Sequence, residues 1–264
     1  MERRALRATF DEVSALYDRH RPIYPAQIFD DLAELSRLPE GARVVEIGCG
    51  TGQATLPLAD RGYRITCIEL GEHLAAMARE KLEWFPLVEV INADFESWRP
   101  ANAEFDAVVA FTAFHWIPPE TRYEQAASLL RDDGVLAIVI TEHVLGPEGD
   151  EFFLDVQEDY EAVAPDDPAT IAGGPRPPDS VQDLADEISS SRRFRNIAAR
   201  RYLWDVVYSA EDYVGVLNTY SGHRALGNDT RERLLARIRR RIEARPGGEV
   251  RKTYLAMLNV AERR

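Results

Sequence analysis

The chain has 264 residues, 45% of them hydrophobic, enough to bury one large core or a core with a smaller cap. Against 32 basic residues stand 45 acidic ones, and the formal net charge of −13 argues against a polyphosphate such as nucleic acid as substrate. Cys49 and Cys67 are too few for a disulfide framework, and no segment approaches about 18 consecutive apolar residues. With no long apolar run behind Met1, the expectation is a cytoplasmic protein without membrane attachment, a monomer or homodimer.

Residues 8 to 38 carry two short helical patterns, one with Phe10, Val13, Leu16 and Tyr17, the other with Ile28, Phe29, Leu32 and Leu35. Between them, Tyr17-Asp18-Arg19-His20-Arg21-Pro22-Ile23-Tyr24-Pro25 is a stiff connector, because its prolines stop the first helix and start the second. Next comes Val44-Val45-Glu46-Ile47-Gly48-Cys49-Gly50-Thr51-Gly52-Gln53, an apolar strand run into a glycine-rich turn, with a helix expected from Gly52 to Asp60. Glycine there permits positive φ and close approach of a ligand to the backbone. A dinucleotide fingerprint places glycines first, third and sixth, but the sixth position here is Gln53. Glu46 also disfavours a pyrophosphate, since a carboxylate beside the loop repels phosphate yet accepts hydrogen bonds from an ammonium group or waters.

Tyr63 to Leu70 reads as the second strand and closes on Glu69, roughly 20 residues past the loop, where an acid can grip ribose hydroxyls. Leu87 to Asn92 is the third strand, followed by Ala93-Asp94-Phe95-Glu96, and Glu104 to Phe111 is the fourth, apolar enough to be buried on both faces. It runs into Thr112-Ala113-Phe114-His115-Trp116-Ile117-Pro118. Glu120 to Leu130 is helical, Arg131-Asp132-Asp133-Gly134 a turn, and Val135 to Thr141 the fifth strand. Helical stretches near 149 to 163 and 179 to 191 then form an insertion expected to act as a lid. Phe194 to Val207 is the sixth strand, Ser209 to Asp212 a capping box, Thr230 to Arg245 an Arg-rich helix with a solvated face, and Arg251 to Val260 the last strand. The five histidines show no metal-ligand spacing, so no metal is expected.

Glu46-Ile47-Gly48-Cys49-Gly50-Thr51-Gly52 resembles motif I of the class I S-adenosylmethionine-dependent methyltransferases. The connector resembles their Y-x-x-x-R-P-x-Y-P lead segment, and Ala113 to Trp116 resembles the A-x-H-W string of a small-molecule branch that includes trans-aconitate methyltransferases. The resemblance implies an α/β fold, a doubly wound, mostly parallel seven-stranded sheet with a helical cap and an antiparallel last strand. It divides the chain into a segment over the cofactor (1–38), a cofactor-binding core (39–141), a helical insertion (142–193) and the remaining strands (194–264) with a substrate-cap segment at 208–246.

It implies S-adenosylmethionine as cofactor, near Glu46, Gly48, Cys49, Gly50 and Gly52, with Glu69 on the ribose and Leu70, Leu74, Phe111 and Trp116 around the adenosine. Asp94 receives the adenine amino group with Phe95 against the ring, or else caps a turn. Tyr17 and Arg21 cap the methionine end or fasten the lead segment. His115 deprotonates an acceptor or hydrogen-bonds its loop. Tyr24, His115, Tyr213, Tyr220, His223 and Arg224 are the acceptor-side candidates, with Arg224 or Arg176 pairing an acidic substrate. The implied function is methyl transfer to an oxygen, nitrogen or carboxylate of a small molecule; the alternative is a non-catalytic S-adenosylmethionine-binding protein.

Overall fold

Short β-branched runs alternating with helical stretches lead to a parallel sheet with crossover helices. The computed structural model describes residues 6, 9–147, 149–166 and 174–264. Part of the insertion, residues 167–173, therefore lies outside the described residues. The strands are β1 (Arg43–Ile47), β2 (Arg64–Glu69), β3 (Val88–Asn92), β4 (Phe105–Phe111), β5 (Leu130–Val144), β6 (Phe194–Ser209) and β7 (Glu249–Arg263). Among the described residues they form one seven-stranded sheet in the order β3-β2-β1-β4-β5-β7-β6. β1 pairs in parallel with β2 and β4, β2 with β3, and β4 with β5. β6 and β7 run antiparallel: Asn196 meets Glu262, Arg201 meets Met257 and Asp205 meets Thr253, so numbers rise on one strand as they fall on the other. β6 ends the sheet, and from Ala199 to Val207 exposed residues alternate with half-buried ones, as suits an edge.

The helices that matter below are α1 (Ser14–His20), α2 (Ala26–Ser36), α3 (Thr55–Ala59), α4 (Glu72–Lys81), α5 (Arg122–Leu129), α6 (Gln157–Val163), α7 (Ala210–Asn218) and α8 (Asn228–Glu243). The chain divides into two compact units. The glycine-loop unit comprises Ile23–Thr141, Asp183–Tyr202 and Ala256–Arg264. Its core includes Val45, Ile47, Ile68, Phe105, Val108 and Leu136, the inward residues of four strands. The tyrosine-rich unit comprises Met1–Pro22, Glu142–Gln182 and Leu203–Leu255, with a core of Phe152, Phe153, Tyr213, Val216, Leu234 and Ile238 among others.

Two local expectations change. The turn at Arg131–Gly134 lies inside β5, which starts at Leu130; left-handed Asp133 (φ 59°) marks a shift of pairing from Phe105↔Leu130 to Ala107↔Val135. The Arg-rich helix α8 does bury Leu234, Leu235, Ile238 and Ile242, but its arginines are not simply solvated. Arg237 Nε and Arg241 Nε donate to the two oxygens of buried Asp159 on α6, at 2.9 and 2.6 Å. The Ser209 cap forms as its sequence suggests, its hydroxyl accepting the Asp212 N–H at 3.1 Å.

Candidate functional site

β1 is buried on both faces, and the chain leaves it through Gly48, Gly50 and Gly52 at φ 66°, 58° and 84°. A Cβ on Gly48 would stand 2.7 Å from that of Ala113, so sterics and backbone both require glycine. Its N–H donates to Ile68 O at 2.8 Å, tying the loop to β2. Glu46 is 1% exposed, and Thr55 Oγ1 on α3 donates to its Oε2 at 2.7 Å. Burial pushes its carboxyl up to about 7, against the hydrogen bonds of Thr55 and Cys67 and with help from the charge of Glu69. Cys49 is buried, its thiol pushed up by a hydrogen bond with Cys67 and by burial, so it stays protonated.

Glu69 ends β2 at 7% exposure. One oxygen accepts the Gly50 N–H and the other the Gly71 N–H, both at 2.8 Å, so a single carboxylate joins the glycine loop to the start of α4. Asn92 Nδ2 fixes the same bend by donating to Glu69 O and Leu70 O at 3.0 Å. Leu70 is half-buried and Leu74 buried. After β3, Asp94 Oδ1 accepts the Glu96 N–H at 3.1 Å, an Asx-type turn, while Phe95 packs into the core. After β4, Thr112 adopts φ 53°, and its hydroxyl bonds Tyr24 Oη at 2.9 Å and Thr141 Oγ1 at 3.2 Å. Phe111 stacks on Phe29 of α2 and meets the edge of Tyr24. His115 is exposed and Trp116 half-buried, with ring centroids 4.8 Å apart.

The glycine loop, Glu69, the Asp94 turn and the Thr112–Trp116 segment thus follow β1, β2, β3 and β4 in turn. All four stand at the carboxyl ends of parallel strands, with the β1/β4 switch point of the sheet among them. An open groove of about 510 Å³ lies at the opposite edge, lined by the first residues of the same strands, among them Arg43, Arg64, Val88 and Phe105. None of the candidate residues lines it.

The other candidates belong to the tyrosine-rich unit. Arg21 donates from Nε to Thr219 Oγ1 at 2.8 Å and from Nη2 to Thr219 O at 2.9 Å. Its guanidinium also lies 4.9 Å from the Tyr17 ring centroid and 4.6 Å from that of Tyr220. Tyr213 is buried against Phe152 and Phe153. His223 bonds Tyr160 Oη at 2.8 Å and is pushed down to about 4 by burial and then by the charge of Lys252. Arg224 pairs with Glu12 at 2.6 Å, and the Arg176 carbonyl accepts the Leu145 N–H at 2.9 Å.

Sequence reasoning missed Lys252, whose Nζ donates to Tyr220 Oη at 3.0 Å, and His143, a ring beside Phe153. The signal for Lys252 was a lysine beside Arg251 at the head of an apolar strand run. Among the described residues no group of three or more His, Cys, Asp or Glu could hold a metal ion, and no helix is long and apolar enough to cross a membrane.

Comparison with known proteins agrees with this geometry. A methyltransferase-domain family matches residues 44–134, from β1 to the β5 bulge. The chain is 30% identical over 167 residues to the malonyl-[acyl-carrier protein] O-methyltransferase of Geobacter sulfurreducens, an alignment of 62% of this chain and 60% of that protein. It is 35% identical over 129 residues to the trans-aconitate 2-methyltransferase of Variovorax paradoxus, covering 47% and 48%. The matched part thus spans 60% and 48% of these curated relatives' lengths. A solved structure of a putative type II methyltransferase from Anaeromyxobacter dehalogenans shares the fold, with a TM-score of 0.62 at 22% identity over 92% of this chain and 97% of that one. The glycine loop after β1 and the acid closing β2 thus lie inside a stretch that matches a methyltransferase-domain family, on a fold shared with a solved putative methyltransferase.

Proposed function

We propose that this chain transfers a methyl group from S-adenosylmethionine to a small-molecule acceptor, at an oxygen, nitrogen or carboxylate. The observation that carries the reading is the Glu69 carboxylate bonded to Gly50 and Gly71 at the mouth of a left-handed glycine loop. A carboxylate there repels phosphate but suits a diol, because its two oxygens offer about four acceptor sites in all. The residues present fit an adenosine: Glu69 for the ribose hydroxyls, Asp94 for the adenine amino group, and Leu70, Leu74 and Trp116 for apolar contact. Bare backbone at Gly50 allows the methionine part of the ligand to approach the loop closely, while Gly48 makes room for Ala113.

When bound, S-adenosylmethionine supplies an activated methyl on a sulfonium. The task left to the chain is to hold an acceptor in line and exclude water. His115, exposed beside Trp116, accepts a proton from a hydroxyl or ammonium acceptor; a carboxylate acceptor needs no base.

Calorimetric titration with S-adenosylhomocysteine, with NAD as control, tests this. Micromolar binding of the former alone is expected, weakened about 10- to 150-fold in Glu69→Gln by loss of a charged acceptor contributing about 1.5 to 3 kcal/mol. Failure to bind, or equal binding by the variant, overturns the assignment. Release of S-adenosylhomocysteine in the presence of an acceptor then separates an enzyme from a binding protein.

A further inference from the structure

The charged side chains set against the Tyr220 ring, Lys252 and Arg21, are both cations. Lys252 on β7 is 2% exposed, and its single hydrogen bond among the described residues goes to Tyr220 Oη at 3.0 Å. Its other close neighbours are ring faces, the centroids of Tyr220 and Tyr254 at 5.0 Å and of Tyr213 at 5.5 Å. An ammonium has three donors. Two of them therefore have no acceptor among the described residues, and no carboxylate there stands within ion-pair distance. Arg21, over the same Tyr220 ring, is bonded to Thr219 and likewise faces no carboxylate among the described residues.

The surroundings add donors and apolar surface and no carboxylate among the described residues; burial raises the Tyr220 phenol, but the charges of Lys252 and Arg21 bring it below its ordinary value. Trp204 is stacked on Tyr254 with centroids 5.3 Å apart, and among the described residues neither its buried Nε1 nor the buried Nε2 of His143 has a partner. Burial, then the charge of Lys252, holds His143 down at about 2 and His223 at about 4, so both rings are neutral near pH 7. Tyr208 and Tyr254 bond each other at 3.0 Å and are pushed up by burial, which keeps both as phenols. A methionine of similar length would fill the place of Lys252 without the cost of burying a charge. Elsewhere in the unit buried charge is neutralised, as at Asp159 with Arg237 and Arg241. Arg224, the cation expected to meet an acidic substrate, is itself neutralised by Glu12.

We propose that Lys252 anchors a binding site in this unit for a small organic carboxylate, which takes the two unpartnered N–H bonds of the ammonium and lays its apolar body on the surrounding tyrosine and tryptophan rings. Identifying that carboxylate as part of the methyl acceptor rests on the transferase reading; the binding itself does not.

Benzoate, with benzamide as neutral isostere, probes the site in the full-length chain, followed by tryptophan fluorescence and thermal midpoint. Saturable binding of benzoate and at least tenfold weaker binding of benzamide are expected. Lys252→Met should lose at least tenfold in benzoate affinity and keep S-adenosylhomocysteine binding. Tyr220→Phe, which removes one hydroxyl and keeps the ring, should retain the preference for benzoate and covers the case of a poorly folded Lys252 variant. Equal binding of the two probes, or unchanged benzoate binding in Lys252→Met, overturns the proposal. So does tyrosinate absorbance in the unliganded protein near neutral pH, since a Tyr220 phenolate would then be the missing counter-charge. Benzoate binding that persists where S-adenosylhomocysteine fails to bind supports this site and counts against the transferase reading alone.

Discussion

Glu46 lies at the base of the glycine loop with a hydroxyl and a thiol as its partners, and its carboxyl is lifted from 4.5 to about 7. Between those values the folded chain holds a proton that the unfolded chain has released. The stabilisation is therefore complete below about 4.5 and is lost as pH rises through about 7. Glu46→Gln keeps a neutral acceptor for Thr55 and carries no charge to bury. The variant should match the wild type near pH 4.5 and exceed its unfolding free energy near pH 8 by on the order of 2 to 3 kcal/mol. Chemical denaturation at the two pH values checks it; an equal difference at both would show that the proton is not held there. The sequence could present Glu46 only as an acid beside a loop, because its burial depends on α3 and β2 closing over it.

At the scale of elements, helix contacts are set by residues whose role is invisible in one dimension. Gly215 lies within α7, where glycine normally weakens a helix and alanine gains about 1 kcal/mol. Here an added Cβ would stand 2.5 to 2.6 Å from three ring atoms of His20 on α1. That ring is 7% exposed and 3.5 Å from Asp212, so it has little room to give. Gly215→Ala should destabilise the chain by about 1 to 3 kcal/mol in urea unfolding, and His20→Ala in the same chain should recover most of the loss. A stabilising Gly215→Ala would mean that the α1–α7 contact is loose. Arg237 and Arg241 teach a similar lesson: spacing along α8 predicts which residues are buried, but only the fold brings Asp159 under the arginines. The Ser209 cap was legible because donor and acceptor are three residues apart.

For the whole molecule, the two units carry opposed proton linkages. His143 and His223 are depressed to about 2 and about 4, so the folded tyrosine-rich unit holds them neutral. Their contribution is complete above about 6.5 and is lost as pH falls through the folded values. Glu46 acts in the other direction in the glycine-loop unit. Hydrogen exchange, corrected for intrinsic rates, should show opening free energy falling in the tyrosine-rich unit on going from about pH 7 to 5, and in the glycine-loop unit from about pH 6 to 8. The lowered carboxyls of Asp31 and Asp106 titrate below 3.8, outside both windows. Parallel changes in both units would contradict this linkage.

Local order determined much of this protein. Hydrophobic periodicity specifies the strands and most helices, and the glycines at alternate positions after β1 specify a left-handed loop, because φ and strand burial depend on neighbours in the chain. Glu69 was legible for the same reason, at a fixed distance beyond that loop. The tertiary structure alone decided which charges are neutralised. Arg224 is paired by a residue 212 positions away, Arg21 is bound to one 198 away, and Lys252 is left among rings drawn from α7, β7 and Tyr220. Burial and ion pairing are properties of the neighbours a side chain meets in space, and sequence spacing does not encode them.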